Sequence, residues 1–169
     1  MKGNILLSGK PGCGKTTLIR KVLNEVDVID SGGFYTQEIR KGGVRVGFKI
    51  TTLDGREGVL SHVDYGGGFR VGKYFVNTQD IDEFAVGSIL DSLSKGLIVI
   101  DEIGKMELFS REFGGAVLKA LDTKRVFGSI TLWKNPFVEG IKKRRDVKIF
   151  MVTSGNRNSL VEELVERIK

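Results

Sequence analysis

The octapeptide Gly9-Lys10-Pro11-Gly12-Cys13-Gly14-Lys15-Thr16 constrains this chain more than any other feature: a glycine, four residues, then Gly-Lys-Thr. Such a loop works only between a strand and a helix. Asn4 to Ser8 supplies an apolar, strand-like run before it, and Thr17 to Leu23 a helical one after it. A glycine-rich turn that opens a helix points several backbone N–H groups, and the positive end of the helix dipole, at one spot. The glycines let the backbone approach a phosphate chain with no Cβ in the way. Lys15 can then reach the β- and γ-phosphates, and the Thr16 hydroxyl can hold Mg²⁺. The motif in this context implies a nucleoside triphosphate site in an α/β fold.

With 169 residues, 40% of them hydrophobic and 28% charged, the chain reads as one domain over 1–169 with a sizeable core. No run approaches the roughly 18 consecutive apolar residues of a membrane span. The first residues run straight into the phosphate loop, so cleaving them as a leader would destroy it, and a cytoplasmic location is expected. The one cysteine, Cys13, excludes a disulfide within this sequence and a thiolate metal site, and reads as a small space-filler. A net charge of +6 is moderate for a protein that handles polyanions. The densest basic run, Lys142-Lys143-Arg144-Arg145, reads as the solvated end of a helix. It has no interleaved aromatics, so nucleic acid is not the expected partner. Arg144 and Arg145 remain candidates for a contact between subunits.

Beyond the first helix, Asp27 to Asp30 leads into Ser31-Gly32-Gly33, read as a loop. Phe34 to Arg40 is strand-like, and Val44, Val46, Phe48, Ile50 and Thr52 alternate with polar residues or glycine, a period of two. Asp54-Gly55 then signals a hairpin, with Arg56 to Leu60 returning. Residues 34–61 therefore read as an antiparallel meander inserted in a parallel α/β plan. Asp64 to Tyr74, rich in glycine, reads as a mobile loop, either a surface excursion or a lid over the nucleotide. Helices are expected from about Asp80 to Leu93, around Phe109 to Leu121, and near Asn158 to Ile168. Leu97 to Ile100 reads as a buried central strand, and Arg125 to Thr131 and Val147 to Thr153 as two further strands. Strands alternating with helices argue for a mostly parallel sheet with helices on both faces.

The apolar run ends in Asp101-Glu102-Ile103-Gly104. A hydrophobic strand ending in an acid is the usual partner of a phosphate loop, lying beside Mg²⁺ and anchoring its waters or Thr16. Asp101 would serve the metal, leaving Glu102 to activate the water that attacks the γ-phosphate. Asp101-x-x-Gly104 also fits a regulatory GTPase, but the Asn-Lys-x-Asp guanine reader such proteins need is absent from this sequence.

Asp101-Glu102-Ile103-Gly104-Lys105-Met106-Glu107-Leu108, together with the phosphate loop, resembles the small P-loop nucleoside-triphosphatases of the THEP1 type, first known from thermophiles and with a human cancer-related relative. Gly33 to Arg40, Arg45 to Phe48, Arg70 to Tyr74 and Thr153-x-x-Asn156-Arg157 extend the resemblance over nearly the whole chain. It implies a RecA-like fold and Mg²⁺-dependent hydrolysis of ATP, GTP, CTP, UTP and TTP with little discrimination between bases. Position by position, Gly9, Lys10, Pro11, Gly12, Cys13, Gly14, Lys15, Thr16 and Thr17 form one nucleotide-binding stretch. Leu97, Ile98, Val99, Ile100, Asp101, Glu102, Ile103 and Gly104 form the other. Thr16 and Asp101 serve the metal, and Glu102, Lys15 and Lys105 the chemistry, Lys105 as an arginine finger would. Asn156 and Arg157 follow the last strand and are candidates for base or ribose contacts. Helix capping is an equal account of Asn156.

Two rival classes share the loop. One is a small-molecule or nucleotide kinase, with the meander as its acceptor pocket. The other is a nucleotide-gated switch or nucleic-acid-associated module. His62, the one histidine, has no ligand partners in sequence and reads as structural or exposed. Trp133 reads as a packing residue, with base stacking as the alternative.

Overall fold

The computed structural model describes residues 3–26 and 29–169. Asp27 and Val28, at the start of the segment after the first helix, lie outside the described residues. The apolar runs form the middle of the sheet as β1 (Asn4–Ser8), β7 (Leu97–Ile103) and β8 (Val126–Ile130). Every residue of β1 and β8 is buried, the pattern of strands covered on both faces. The sheet is nine-stranded, in the order β5-β6-β4-β3-β2-β7-β8-β1-β9. From β2 (Ser31–Lys41) to β9 (Val147–Met151) neighbouring strands are parallel, with Phe34 opposite Ile100 and Leu6 opposite both Gly128 and Ile149.

β2 is also the first strand of the meander, pairing antiparallel with β3 (Val44–Thr52), which pairs with β4 (Glu57–His62). The antiparallel meander expected over 34–61 is therefore present, joined to the parallel strands through β2. Ser31-Gly32-Gly33, read as a loop, opens β2 and pairs with Leu97, Ile98 and Val99. Gly33 has φ +102°, and a Cβ there would strike the Val99 carbonyl. The glycines permit close strand approach, which composition alone cannot distinguish from a flexible turn. The stretch 64–74 is likewise not all loop: β5 (Arg70–Val71) and β6 (Tyr74–Val76) form a hairpin on the sheet edge.

Helices cover both faces. α1 (Lys15–Glu25) and α6 (Leu160–Ile168) share a core with Ile5, Leu7, Leu97, Val99 and Phe127. On the other face are the helical stretch 78–91, α4 (Phe113–Asp122) and α5 (Pro136–Lys142), packed on Leu6, Phe34, Ile98 and Ile100. The stretch 78–91 comprises α2 (Thr78–Asp80), a π-helical segment Ile81–Val86 and α3 (Gly87–Asp91). Alternate residues of each central strand thus serve opposite cores, as a period of two requires. Phe109 lies in a 3₁₀ turn, Glu107–Phe109, ahead of α4 rather than within it. Asn135 accepts hydrogen bonds from Phe137 N (2.8 Å) and Val138 N (3.2 Å), capping α5 with Pro136 in its first turn. Among the described residues, no helix is long and apolar enough to cross a membrane.

Candidate active site

The phosphate loop leaves β1 at Ser8 and enters α1 at Lys15. Gly12 (φ +77°) and Gly14 (φ +100°) adopt left-handed conformations that suit glycine. No side chain caps α1, so its first N–H groups are free for an anion. Lys15 curls back over the loop, donating to Gly9 O at 2.9 Å and Lys10 O at 3.3 Å. Cys13 packs its Sγ against Gly9, in agreement with a space-filling role.

The opposing wall is the end of β7. The β7–β8 ladder shifts register between Ile100 and Ile103, so Asp101 and Glu102 fall in the irregular stretch. Irregularities of this kind re-aim side chains. Asp101 is 1% exposed. Its Oδ2 accepts from Thr16 Oγ1 at 2.7 Å, and its Oδ1 accepts from Ser129 Oγ on β8. Burial raises the Asp101 pKa, opposed by those two hydroxyls and by the charge of Lys15. Burial, then the negative charge of Asp101, pushes Glu102 up to about 7, with Lys15 opposing. A carboxyl poised there suits general base catalysis at neutral pH.

Lys105 and Trp133 were read separately and meet in space. Lys105 is exposed, with its Nζ 5.4 Å from the centre of the Trp133 ring. Trp133 is 39% exposed, so it serves as a platform for a cation rather than as core packing. Asn156 and Arg157 separate in role. Asn156 Oδ1 accepts from Thr153 N (2.8 Å) and its Nδ2 donates to Met151 O (2.9 Å), tying the exit of β9 rather than capping α6. Arg157 lies against the phosphate loop, its Nη1 2.8 Å from where a Cβ of Gly14 would stand.

A family profile described as NTPase matches residues 4–165. The nucleoside-triphosphatase THEP1 of Thermotoga sp. (strain RQ2) is 49% identical over 98% of this chain and 95% of its own. The crystal structure of THEP1 from the hyperthermophile Aquifex aeolicus superposes with a TM-score of 0.88 at 30% identity, covering 98% of this chain and 99% of that one. The chain belongs to the THEP1-type nucleoside-triphosphatase family. The solution structure of a human cancer-related nucleoside triphosphatase also matches, at TM-score 0.83 and 39% identity over 99% of this chain and 97% of that one. The enzyme is accordingly a P-loop nucleoside-triphosphatase with an α/β fold.

Within the enzyme, Leu97, Ile98, Val99 and Ile100 are wholly buried, their side chains divided between the two cores. They carry the strand that delivers Asp101 and Glu102 to the site. Of the basic run, Arg144 is paired with Asp146 (2.8 Å) and Asp122 (2.9 Å), and Lys142 with Glu139 (3.7 Å). His62 Nδ1 accepts from Asp64 N (3.1 Å), and among the described residues no three His, Cys, Asp or Glu side chains cluster to hold a metal. Sequence reasoning missed Ser129, a lone hydroxyl in an apolar strand, and the Thr36 backbone that assists Asp101 from β2. It also left Glu107 without a role.

Proposed function

We propose that the enzyme hydrolyses nucleoside 5'-triphosphates to nucleoside diphosphate and phosphate in a Mg²⁺-dependent reaction that tolerates all common bases. The observation that carries this reading is the Thr16–Asp101 hydrogen bond, with Glu102 as the next residue. The donor set fits the metal: hydroxyl and carboxylate oxygens are the ligands a hard divalent cation takes, directly or through water. Thr16 would coordinate Mg²⁺ and Asp101 would hold Thr16 and the metal's waters. Bound there, Mg²⁺ would neutralise charge on the β- and γ-phosphate oxygens.

The chain's own groups perform the rest. The loop N–H groups and Lys15 hold the β- and γ-phosphates in line with the attacking water. Glu102 takes the proton as the water oxygen bonds to the γ-phosphorus and the bond to the β-bridging oxygen breaks. Lys105, steadied by Trp133, faces charge on the transferring group. Arg157 contacts the ribose or base at the mouth of the loop. Base tolerance follows from the lack of a guanine reader in the sequence. The cytoplasm, where triphosphates are plentiful, is the compartment that fits.

The test is phosphate release from ATP, GTP, CTP, UTP and TTP, with and without Mg²⁺ and with no acceptor present. Release from all five that vanishes with a chelator supports the reading. Nucleoside diphosphate formed only when an acceptor is added, with the phosphoryl group recovered on the acceptor, would instead favour a kinase.

A further inference from the structure

Glu107, unused by the mechanism above, is one of two nearly inaccessible acids among the described residues, at 4% exposure, the other being Asp101. Asp101 engages both of its oxygens with hydroxyls; Glu107 has backbone hydrogen bonds at Glu107 and Gly104, and the charges acting on it are those of Glu102 and Asp101, both acidic. Its carboxyl reaches back over Gly104. Glu107 Oε2 lies 2.6 Å, and Glu102 Oε1 3.0 Å, from the point where a Cβ of Gly104 would stand. Gly104 is buried and its φ is not positive, so the position requires space rather than backbone freedom. Two carboxyl groups converging on one dry point repel if both are charged and share a hydrogen bond if one keeps its proton.

The segment that presents Glu107 is pinned from three sides. Ser61 on β4 donates to Met106 Sδ at 3.3 Å, Ser110 donates to Asp82, and Phe109 stacks on Phe69 with ring centres 4.7 Å apart. A group held this firmly can fix the orientation of its neighbour.

We propose that Glu107 is a positioning residue, its carboxyl O–H donating a hydrogen bond to Glu102 and fixing that side chain above Gly104. The proposal rests on Glu102 being the base. Burial and the two neighbouring acids hold Glu107 well above the ordinary carboxylate range, which supplies the proton. Gly104 and Glu107 thus act together, one by leaving room and the other by filling it.

The experiment compares E107L, E107Q and G104A for kcat, KM and melting temperature. E107L is expected to lose about tenfold or more in kcat with KM nearly unchanged, the signature of an interaction used in the transition state. E107Q, which keeps an N–H donor of the same reach, recovers most of that loss. G104A, whose Cβ separates two intact acids, behaves like E107L. Wild-type kcat in E107L and G104A overturns the proposal, as does an equal loss in E107Q and E107L. A difference infrared spectrum of wild type against the isosteric E107Q at pH 8 reads the proton directly. A protonated-carboxyl band is expected, and its absence overturns the proposal even if E107L misfolds. E102Q run alongside separates the two readings. An active E102Q sinks the base itself, whereas an inactive E102Q beside a fully active E107L sinks only the role of Glu107.

Discussion

Thr16 Oγ1 donates a 2.7 Å hydrogen bond to Asp101 Oδ2, joining the first turn of α1 to the end of β7 across 85 positions of sequence. The bond brings together, from two different elements, the hydroxyl and the carboxylate proposed to serve the metal. T16A and D101N are each expected to lower kcat/KM at least about a hundredfold, as loss of a preorganised charge-stabilising group does. Both should shift the Mg²⁺ dependence to higher concentration. A Mg²⁺ titration of phosphate release measures it, and an unchanged Mg²⁺ midpoint would count against the metal assignment.

The pKa of Glu102 gives two pH effects of opposite sign. A base must be unprotonated, so kcat/KM of the free enzyme should rise with pH through about 7 and then level off. Stability moves the other way. Asp101, Glu102 and Glu107 bind protons more tightly folded than unfolded. Their contribution is complete below the ordinary carboxylate range and is lost as pH climbs, through about 7 for Glu102. Glu38, Asp54 and Asp146 are lowered by their arginine or threonine partners and lose their contribution as pH falls below that range. Calorimetry without nucleotide or Mg²⁺ should therefore find the highest melting temperature on the acid side of neutrality. A melting temperature that rises from pH 6 to pH 8 would contradict the burial of these acids.

Lys105 and Trp133 should be energetically coupled, because the ring covers the ammonium group at 5.4 Å. K105M is expected to reduce kcat by about tenfold or more while sparing KM, and W133A by a smaller factor. In the double variant the tryptophan change should add almost nothing, since its effect runs through the lysine. Additive losses would show that Trp133 acts on the nucleotide by itself.

Arg157 lies against the phosphate loop at Gly14. R157A should raise KM several-fold for all five triphosphates alike. Steady-state kinetics on the panel measure this, and a loss confined to one base would reveal recognition at that position.

Two glycines should respond oppositely to alanine. At Gly33 a Cβ would strike the Val99 carbonyl in a left-handed backbone conformation, so G33A should destabilise by about 3 kcal/mol or more. At Gly115, inside α4, a Cβ meets nothing within 4 Å, so G115A should stabilise by about 1 kcal/mol. Denaturant melts of the two variants decide both.

Sequence by itself determined the phosphate loop, the strand and helix flanking it, and the acids that end β7. These are local patterns: Gly9 to Thr16 and Leu97 to Glu102 each carry their requirements within a few neighbouring residues. The helix faces and the β3–β4 hairpin were legible for the same reason, since period and turn chemistry are short-range. Tertiary structure decided whatever depends on which surfaces meet. Gly32-Gly33 reads as a loop in sequence because glycine marks both freedom and close approach, and the strand opposite is 66 positions away. Ser129 carries no local sign of being the partner of Asp101, and Trp133 none of covering Lys105. Glu107 stands within a recognisable motif, but its meaning comes from burial beside Glu102 over Gly104. A charge in water and a charge in a dry cleft are spelled by the same letter, and only the fold removes the water.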